Sequence, residues 1–289
     1  MKKVLVVIVT YNGMRWLARC LDSVAGKADV FAVDNDSTDG SADFVQSRCP
    51  GAHLVRSAEN LGFTAANNLG FERALEKGYD YVYLMNQDAW LQEDTLDTLV
   101  CAAERNPAYA VLSPLQMTGD LSAMDPSFAK LYPSSREGEV LEVKRVMAAH
   151  WLVRADALRQ VGPFADIFPL YGQDDNWCAR ARFLGWKVGI VPGARAVHDR
   201  AQRKEPLEKL VFRNYRMGAL LRFAHPGIPL LASALWLPLF TLVKCIRWKS
   251  LLPLRTFPAV VKDIPQARAL RSRTREARRA RVHACKCGK

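Results

Sequence analysis

Acidic residues are almost missing from the last 46 residues. Asp263 and Glu276 stand there against 14 lysines and arginines, whereas residues 1–243 balance 27 basic against 27 acidic side chains. The whole net charge of +12 therefore sits in this C-terminal block. Such a block suits the phosphates of an anionic membrane, or else forms a solvated tail. The rest of the chain carries no nucleic-acid-binding pattern, so nucleic acid is set aside as a partner. A disulfide framework is also absent. Seven cysteines, an odd number without regular spacing, read as reduced thiols in a cytosolic setting. Cys285 and Cys287 lack the second pair that a zinc site requires. No sequence period of about 20–50 residues appears, which excludes a solenoid. No glycine-rich, arginine-containing phosphate loop follows the first apolar segment, because Thr10-Tyr11-Asn12-Gly13-Met14 stands there instead. That excludes a sugar nucleotidyltransferase.

What is present is an alternation of strands and helices. Val4–Thr10 is a continuous β-branched run, the mark of a strand buried on both faces rather than of a signal peptide. Helical spacing follows over 14–25, then a strand over 29–34, a helix over 41–49, a strand over 53–57, a helix over 64–77, a strand over 81–85 and a helix over 91–104. This β-α-β-α-β-α-β order predicts an α/β fold with a mostly parallel, Rossmann-like sheet. Residues 119–143 read as a surface excursion. A strand over 146–154, helices over 155–161 and 176–184, and a strand over 187–191 complete the pattern. In such sheets ligands bind where the strands end. Those ends carry Thr10-Tyr11-Asn12, Asp34-Asn35-Asp36-Ser37, Asn60-Leu61-Gly62-Phe63 and Asn86-Gln87-Asp88.

Three positions stand out chemically, each with a plain structural alternative. Asp88 follows the fourth strand and fits either a divalent-cation ligand or a helix N-cap. Asp174-Asp175 open a helix, where carboxylates cap and are stabilised by the dipole; equally, Asp174 could face a cleft as a general base while its neighbour caps. His198 ends the last strand and offers an imidazole better suited to Mn2+ than to Mg2+.

Taken in order, Val9-Thr10-Tyr11-Asn12, Val33-Asp34-Asn35-Asp36-Ser37-Thr38-Asp39-Gly40-Ser41, Asn60-Leu61-Gly62-Phe63 with Asn67-Asn68-Leu69-Gly70, Asn86-Gln87-Asp88, Val161-Gly162-Pro163-Phe164 and Tyr171–Cys178 resemble family 2 glycosyltransferases, in particular the rhamnosyltransferase-like enzymes of bacterial surface polysaccharide assembly. The resemblance covers roughly residues 1–200. It implies a GT-A fold and an inverting, metal-dependent transfer of a sugar from a UDP- or dTDP-sugar to a glycan acceptor; the basic C-terminus favours a lipid-linked one. It implies Thr10, Tyr11, Asn12, Asp34, Asp36, Asn60, Gly62, Phe63, Asn67 and Gln87 around the nucleotide. Asp88 and His198 would hold Mg2+ or Mn2+, Asp174 would be the catalytic base, and His150, Trp151 and Asp175 would lie on the acceptor side. Two departures, Asn86 and Gln173 where acidic residues are usual, leave a non-catalytic nucleotide-sugar-binding membrane module as the alternative.

The expected organisation is a catalytic domain over 1–215, with a nucleotide-sugar half (1–110) and an acceptor half (111–215), followed by an apolar helix and basic tail over 216–289. Phe223–Val243 carries no formal charge over 21 residues but is interrupted by Pro226, Pro229 and Pro238. A helix from Pro229 to Val243 would measure about 22 Å, short of a bilayer core of about 30 Å. The expectation is a peripheral or monotopic helix at the cytoplasmic face of a bacterial inner membrane, beside an anionic surface.

Overall fold

The computed structural model describes residues 2–133, 138–200 and 206–287. From the N-terminus, β1 (Val4–Thr10), α1 (Met14–Asp22), β2 (Asp29–Asp34), α2 (Ser41–Arg48), β3 (His53–Arg56), α3 (Gly62–Glu76) and β4 (Tyr81–Asn86) alternate as expected. They are followed by β5 (Ala89–Leu91), α4 (Thr95–Arg105), β6 (Tyr109–Met117), α5 (Pro126–Ala129), β7 (Leu141–Glu142), β8 (His150–Arg154), α6 (Ala155–Val161), α7 (Gln173–Phe183) and β9 (Lys187–His198). Three long helices close the chain: α8 (Leu207–Ala224), α9 (Leu230–Trp248) and α10 (Leu252–Cys287).

The strands form one sheet in the order β3-β2-β1-β4-β8-β6-β9-β5, with β7 added alongside β9. The β3-β2-β1-β4 half is parallel. Beyond it, β8 runs antiparallel to both β4 and β6, while β6 and β9 are parallel. Alternate residues of each strand feed opposite layers, as the two-residue period requires. Val4, Val6 and Ile8 join Leu17, Leu21, Leu96 and Leu99 on one face. Leu5 and Val7 join Phe71, Leu158, Trp177 and Ala181 on the other. Both faces of the sheet are thus covered by helices.

Three departures from the sequence reading have physical causes. The helix expected from residue 91 begins at Thr95, because Ala89–Leu91 pairs with Ala196–His198 as β5. β6 carries Pro114 and Gln116 and was not anticipated. β9 continues through Pro192-Gly193 for 12 residues. Its register against β6 jumps from Val191 to Arg195, so the proline sits in a bulge that asks no ladder hydrogen bond of it.

The anticipated boundaries also shift. A cut at 110/111 falls inside β6 and one at 215/216 inside α8. The basic C-terminal segment is a packed helix. Arg271 donates to the His225 and Ile228 carbonyls, Arg275 to that of Pro226 and Arg281 to that of Leu184, while Arg216 pairs with Asp263. Tyr215, Leu220, Phe223, Leu237, Val260 and Leu270 form a third core between α8, α9 and α10. The side chains of Cys285 and Cys287 lie outside those described.

Gly70 marks the closest approach of α3 to the sheet. A β-carbon there would lie 2.5 Å from both Val7 γ-carbons. Helix propensity favours alanine over glycine by about 1 kcal/mol, but overpacking a core costs about 1–3 kcal/mol. Gly70→Ala is therefore expected to lower the thermal midpoint, and Val7→Ala in the same chain to restore part of the loss. Additive losses in the double variant would show that the contact is not the cause.

Candidate active site

The C-terminal ends of β1, β2 and β4 are bound into one cradle. Gln87 Oε1 accepts from Thr10 Oγ1 at 2.8 Å and from Tyr11 N at 2.7 Å, and its amide donates to the Tyr11 carbonyl at 3.1 Å. A β-carbon on Gly13 would lie 2.3 Å from the same Gln87 oxygen, so the clasp requires glycine there. Asn12 takes up φ +50°; its carbonyl oxygen Oδ1 accepts from Thr38 N at 2.9 Å, and its own N–H donates to Ser37 Oγ at 3.0 Å. Asn35 bridges the next loop, accepting from Leu61 N and donating to the Gly62 carbonyl. Asn60 Oδ1 accepts from Gly62 N at 2.9 Å.

Asp34 is the informative member of this group. It is buried, one oxygen accepts from Ser37 N at 3.0 Å, and the other has no hydrogen-bond partner. A buried, unpaired carboxylate oxygen is costly unless a donor arrives. Asp36 is exposed, with φ +64°, and shapes the turn. Phe63 and Asn67 are placed differently from the expected nucleotide contacts. The Phe63 ring packs toward Phe164 in the core, and the buried Asn67 amide donates to the Phe63 carbonyl.

Asp88 and His198 meet at the neighbouring edge, because β5 draws the two segments together: Asp199 N donates to the Asp88 carbonyl at 2.8 Å. His198 Nε2 faces Asp88 Oδ1 at 3.6 Å and the Asn86 amide nitrogen at 3.5 Å. The carboxyl of Asp88 is held below its usual range. Burial, the largest single influence, pushes it upward, but His198, a backbone N–H and Arg200 together outweigh that. The donor set fits a divalent cation. A carboxylate oxygen and an imidazole nitrogen that face one another could both turn to a single ion. Among the described residues no third His, Cys, Asp or Glu joins them, so the remaining positions would fall to water and a ligand's oxygens, as is usual for Mg2+. Arg200 Nε lies 3.3 Å from His198 Nδ1 and pairs with Asp125 at 3.0 Å; a cation on Nε2 would need the ring proton on Nδ1, so Arg200 would have to give up its contact with that nitrogen. No feature of the sequence pointed to Arg200 or Asp125.

Beneath His198 lies a closed polar chain. His150 Nε2 bonds the Val197 carbonyl and Nδ1 bonds the Tyr83 hydroxyl, each at 2.8 Å. Burial pushes the His150 pKa down to about 3, so the ring is neutral, Nε2–H donates to Val197, and Tyr83 donates to Nδ1. His150 and Trp151 are fully buried, the latter between Phe164 and Trp177. Neither can face an acceptor. This corrects the expectation for both: they support the site from the core.

Asp174 lies in the first turn of α7, after Gly172 at φ +86°. Its neighbour does not cap the helix. The Asp175 carboxylate instead pairs with Arg145 at 2.5 Å. Asp174 Oδ1 accepts from Asp175 N at 2.8 Å, and the carboxylate also accepts from Ala148 N. Dense surroundings, then the charge of Asp175, hold the Asp174 carboxyl well above the usual range. The adjoining Ala149 carbonyl accepts from Asn86 N at 3.1 Å, so two consecutive residues link the support of Asp174 to the strand end that precedes Asp88. A second link joins the halves through α3: Thr64 Oγ1 donates to the Phe168 carbonyl at 2.5 Å, and Asn68 exchanges two hydrogen bonds with Phe164.

Comparison with known proteins agrees with the fold. Residues 5–144 match the sequence model described as Glycosyl transferase family 2. The N-acetylglucosaminyl-diphospho-decaprenol L-rhamnosyltransferase of Mycobacterium tuberculosis is 28% identical over 269 residues, covering 77% of this chain and 85% of that protein. The undecaprenyl-phosphate mannosyltransferase of Micrococcus luteus is 29% identical over 204 residues, covering 66% and 82%. A mannosyltransferase from Pyrobaculum calidifontis, solved with GDP-Man and Mn2+, superposes with a TM-score of 0.58 at 17% identity over 95% of this chain and 85% of its own.

Proposed function

We propose that this chain, whose residues 5–144 match the family 2 glycosyltransferase model and whose fold is like that of GT-A enzymes, is a glycosyltransferase of that family that transfers a sugar with inversion from a UDP- or dTDP-sugar to a lipid-linked glycan acceptor. The setting we infer is bacterial surface polysaccharide synthesis at the cytoplasmic face of the inner membrane. The observation that carries this reading is the facing of Asp88 and His198 at 3.6 Å, beside strand ends that present the Asp34 carboxylate. Two relatives with lipid-linked substrates in their names support the acceptor class.

The residues divide the reaction among them. The free oxygen of Asp34 accepts one N–H from the base. The imide N–H of uracil or thymine satisfies a single oxygen, whereas guanine presents two donors on that edge and would want both. Asp88 and His198 hold a divalent cation, which when bound neutralises charge on the diphosphate. Asp174 takes the proton of the acceptor hydroxyl as that oxygen bonds the anomeric carbon and the carbon–phosphate oxygen bond breaks. The nucleoside diphosphate leaves with the bonding electrons. Because Asp175 is engaged by Arg145, one carboxylate is available here, which suits a single displacement.

Thermal denaturation with UDP, dTDP and GDP, with and without Mn2+, tests the nucleotide half of this reading. A ligand at about 100 times its Kd stabilises by about 2.7 kcal/mol, a readily measured rise in midpoint. UDP or dTDP should outperform GDP. In Asp34→Asn the amide oxygen stays on Ser37 N–H, and the NH2 then opposes the base donor. Losing a hydrogen bond to a charged group, about 1.5–3 kcal/mol, weakens the pyrimidine nucleotide about 10- to 100-fold. An unchanged shift in this variant would remove Asp34 from the base pocket.

A further inference from the structure

Helix α9 has two unlike faces. Ser233, Leu237 and Thr241 are buried. The Thr241 hydroxyl donates to the Leu237 carbonyl and meets the Tyr215 hydroxyl at 2.5 Å. Phe240 stacks on both Trp236 and Tyr215. This face is committed to α8 and α10. On the other side Leu231, Leu235, Leu239, Leu242 and Ile246 follow one another at helical spacing, each between 58% and 72% exposed. The apolar line continues beyond the left-handed Lys249 (φ +48°) to Leu251 and Leu254, at 64% and 57%. A row of large exposed apolar side chains of this kind marks an interaction surface.

The charges around the row are of one sign. Arg247, Lys249, Arg255 and Lys262 are exposed beside it. No Asp or Glu occurs from Lys209 to Lys262. We propose that this stripe docks α9 into a single leaflet of an anionic bilayer. The helix axis lies in the membrane plane, the leucines sit among the acyl chains, and the four basic side chains lie at the lipid phosphates. A second copy of the chain fits less well, because a two-fold contact would bring these uniform positive rims together. α9 is about 28 Å long for its 19 residues and is the one described helix apolar and long enough to cross a membrane. Crossing would require its buried face to abandon Tyr215 and α10. The docking surface does not depend on the transferase reading, since its test involves no sugar.

The test is flotation of the full chain with preformed vesicles of phosphatidylcholine, alone or mixed with phosphatidylglycerol. The parent should float with the mixed vesicles, less at high salt, and pass to fresh vesicles on mixing, as an in-plane helix can. Leu235→Glu with Leu239→Glu should weaken binding about tenfold or more while leaving the thermal midpoint and the nucleotide shift in place. Arg247→Glu with Arg255→Glu, which leaves the apolar row intact, should abolish the preference for phosphatidylglycerol. Unaltered flotation of both variants would overturn the proposal. So would failure to exchange between vesicles, the mark of a span, or a stable solution dimer that the Leu235/Leu239 variant dissolves.

Discussion

Asp174→Asn should lose about 10²–10⁴-fold in kcat, the range a positioned general base contributes, with little change in nucleotide affinity. The substitution keeps the Oδ1 that accepts from Asp175 N and removes the basicity. Stability separates this from unfolding. The native carboxyl of Asp174 is raised, so the folded state holds its proton more tightly than the unfolded chain. Its contribution to stability is then greatest below the ordinary Asp range and is lost as pH rises through the raised value. At neutral pH the amide avoids that cost, and Asp174→Asn should melt no lower than the parent. The same elevation places the acid limb of kcat against pH above the ordinary Asp range, with activity growing as pH rises through it. Steady-state kinetics across that range, with a lipid-linked acceptor, provide the check. A variant that retains parental kcat assigns the proton to another group, and a parent with no turnover but intact nucleotide binding would favour a binding module.

Asp88→Ala is the second large effect. Charge stabilisation by a bound divalent ion is worth several kcal/mol, so loss of its carboxylate ligand should cost about two to three orders of magnitude in kcat. The distinguishing measurement is binding. In the parent, Mn2+ should enlarge the thermal shift produced by the nucleoside diphosphate. In Asp88→Ala that increment should vanish while the shift from nucleotide alone persists, because Asp34 and the Gln87 clasp are untouched. If Mn2+ still adds to the shift, the cation is held elsewhere. His198→Ala should move in the same direction, and less, since the Asp88 carboxylate remains.

Much of this was legible in the sequence for a simple reason. Continuous β-branched runs such as Val4–Thr10 can be buried only as inner strands, and short polar loops after them mark the ligand edge. The β5 pairing was hidden because three residues carry no periodicity. β6 was disguised by Pro114 and Gln116, and β9 by Pro192-Gly193. Within the site, the backbone positions of the motifs were readable while side-chain direction was not. Phe63 and His150 stand beside the pocket in sequence yet turn inward, because successive residues alternate faces along a strand and turn by about 100° around a helix. Arg145 and Arg200 gave no signal at all. Each derives its meaning from a carboxylate distant in the chain, Asp175 and Asp125 respectively.

The carbonyl-gripping arginines of α10 carry a consequence for any shortened form of the protein. Arg281 holds the Leu184 carbonyl just behind α7, and Arg271 and Arg275 hold the turn between α8 and α9. The C-terminal helix is thus a girder running from the leucine row to the rear of the element whose front end bears Asp174. A chain ending after Trp248 would forfeit more than adhesion. It would leave α7 unbraced, so a soluble truncation made for convenience should be sluggish as well as detached.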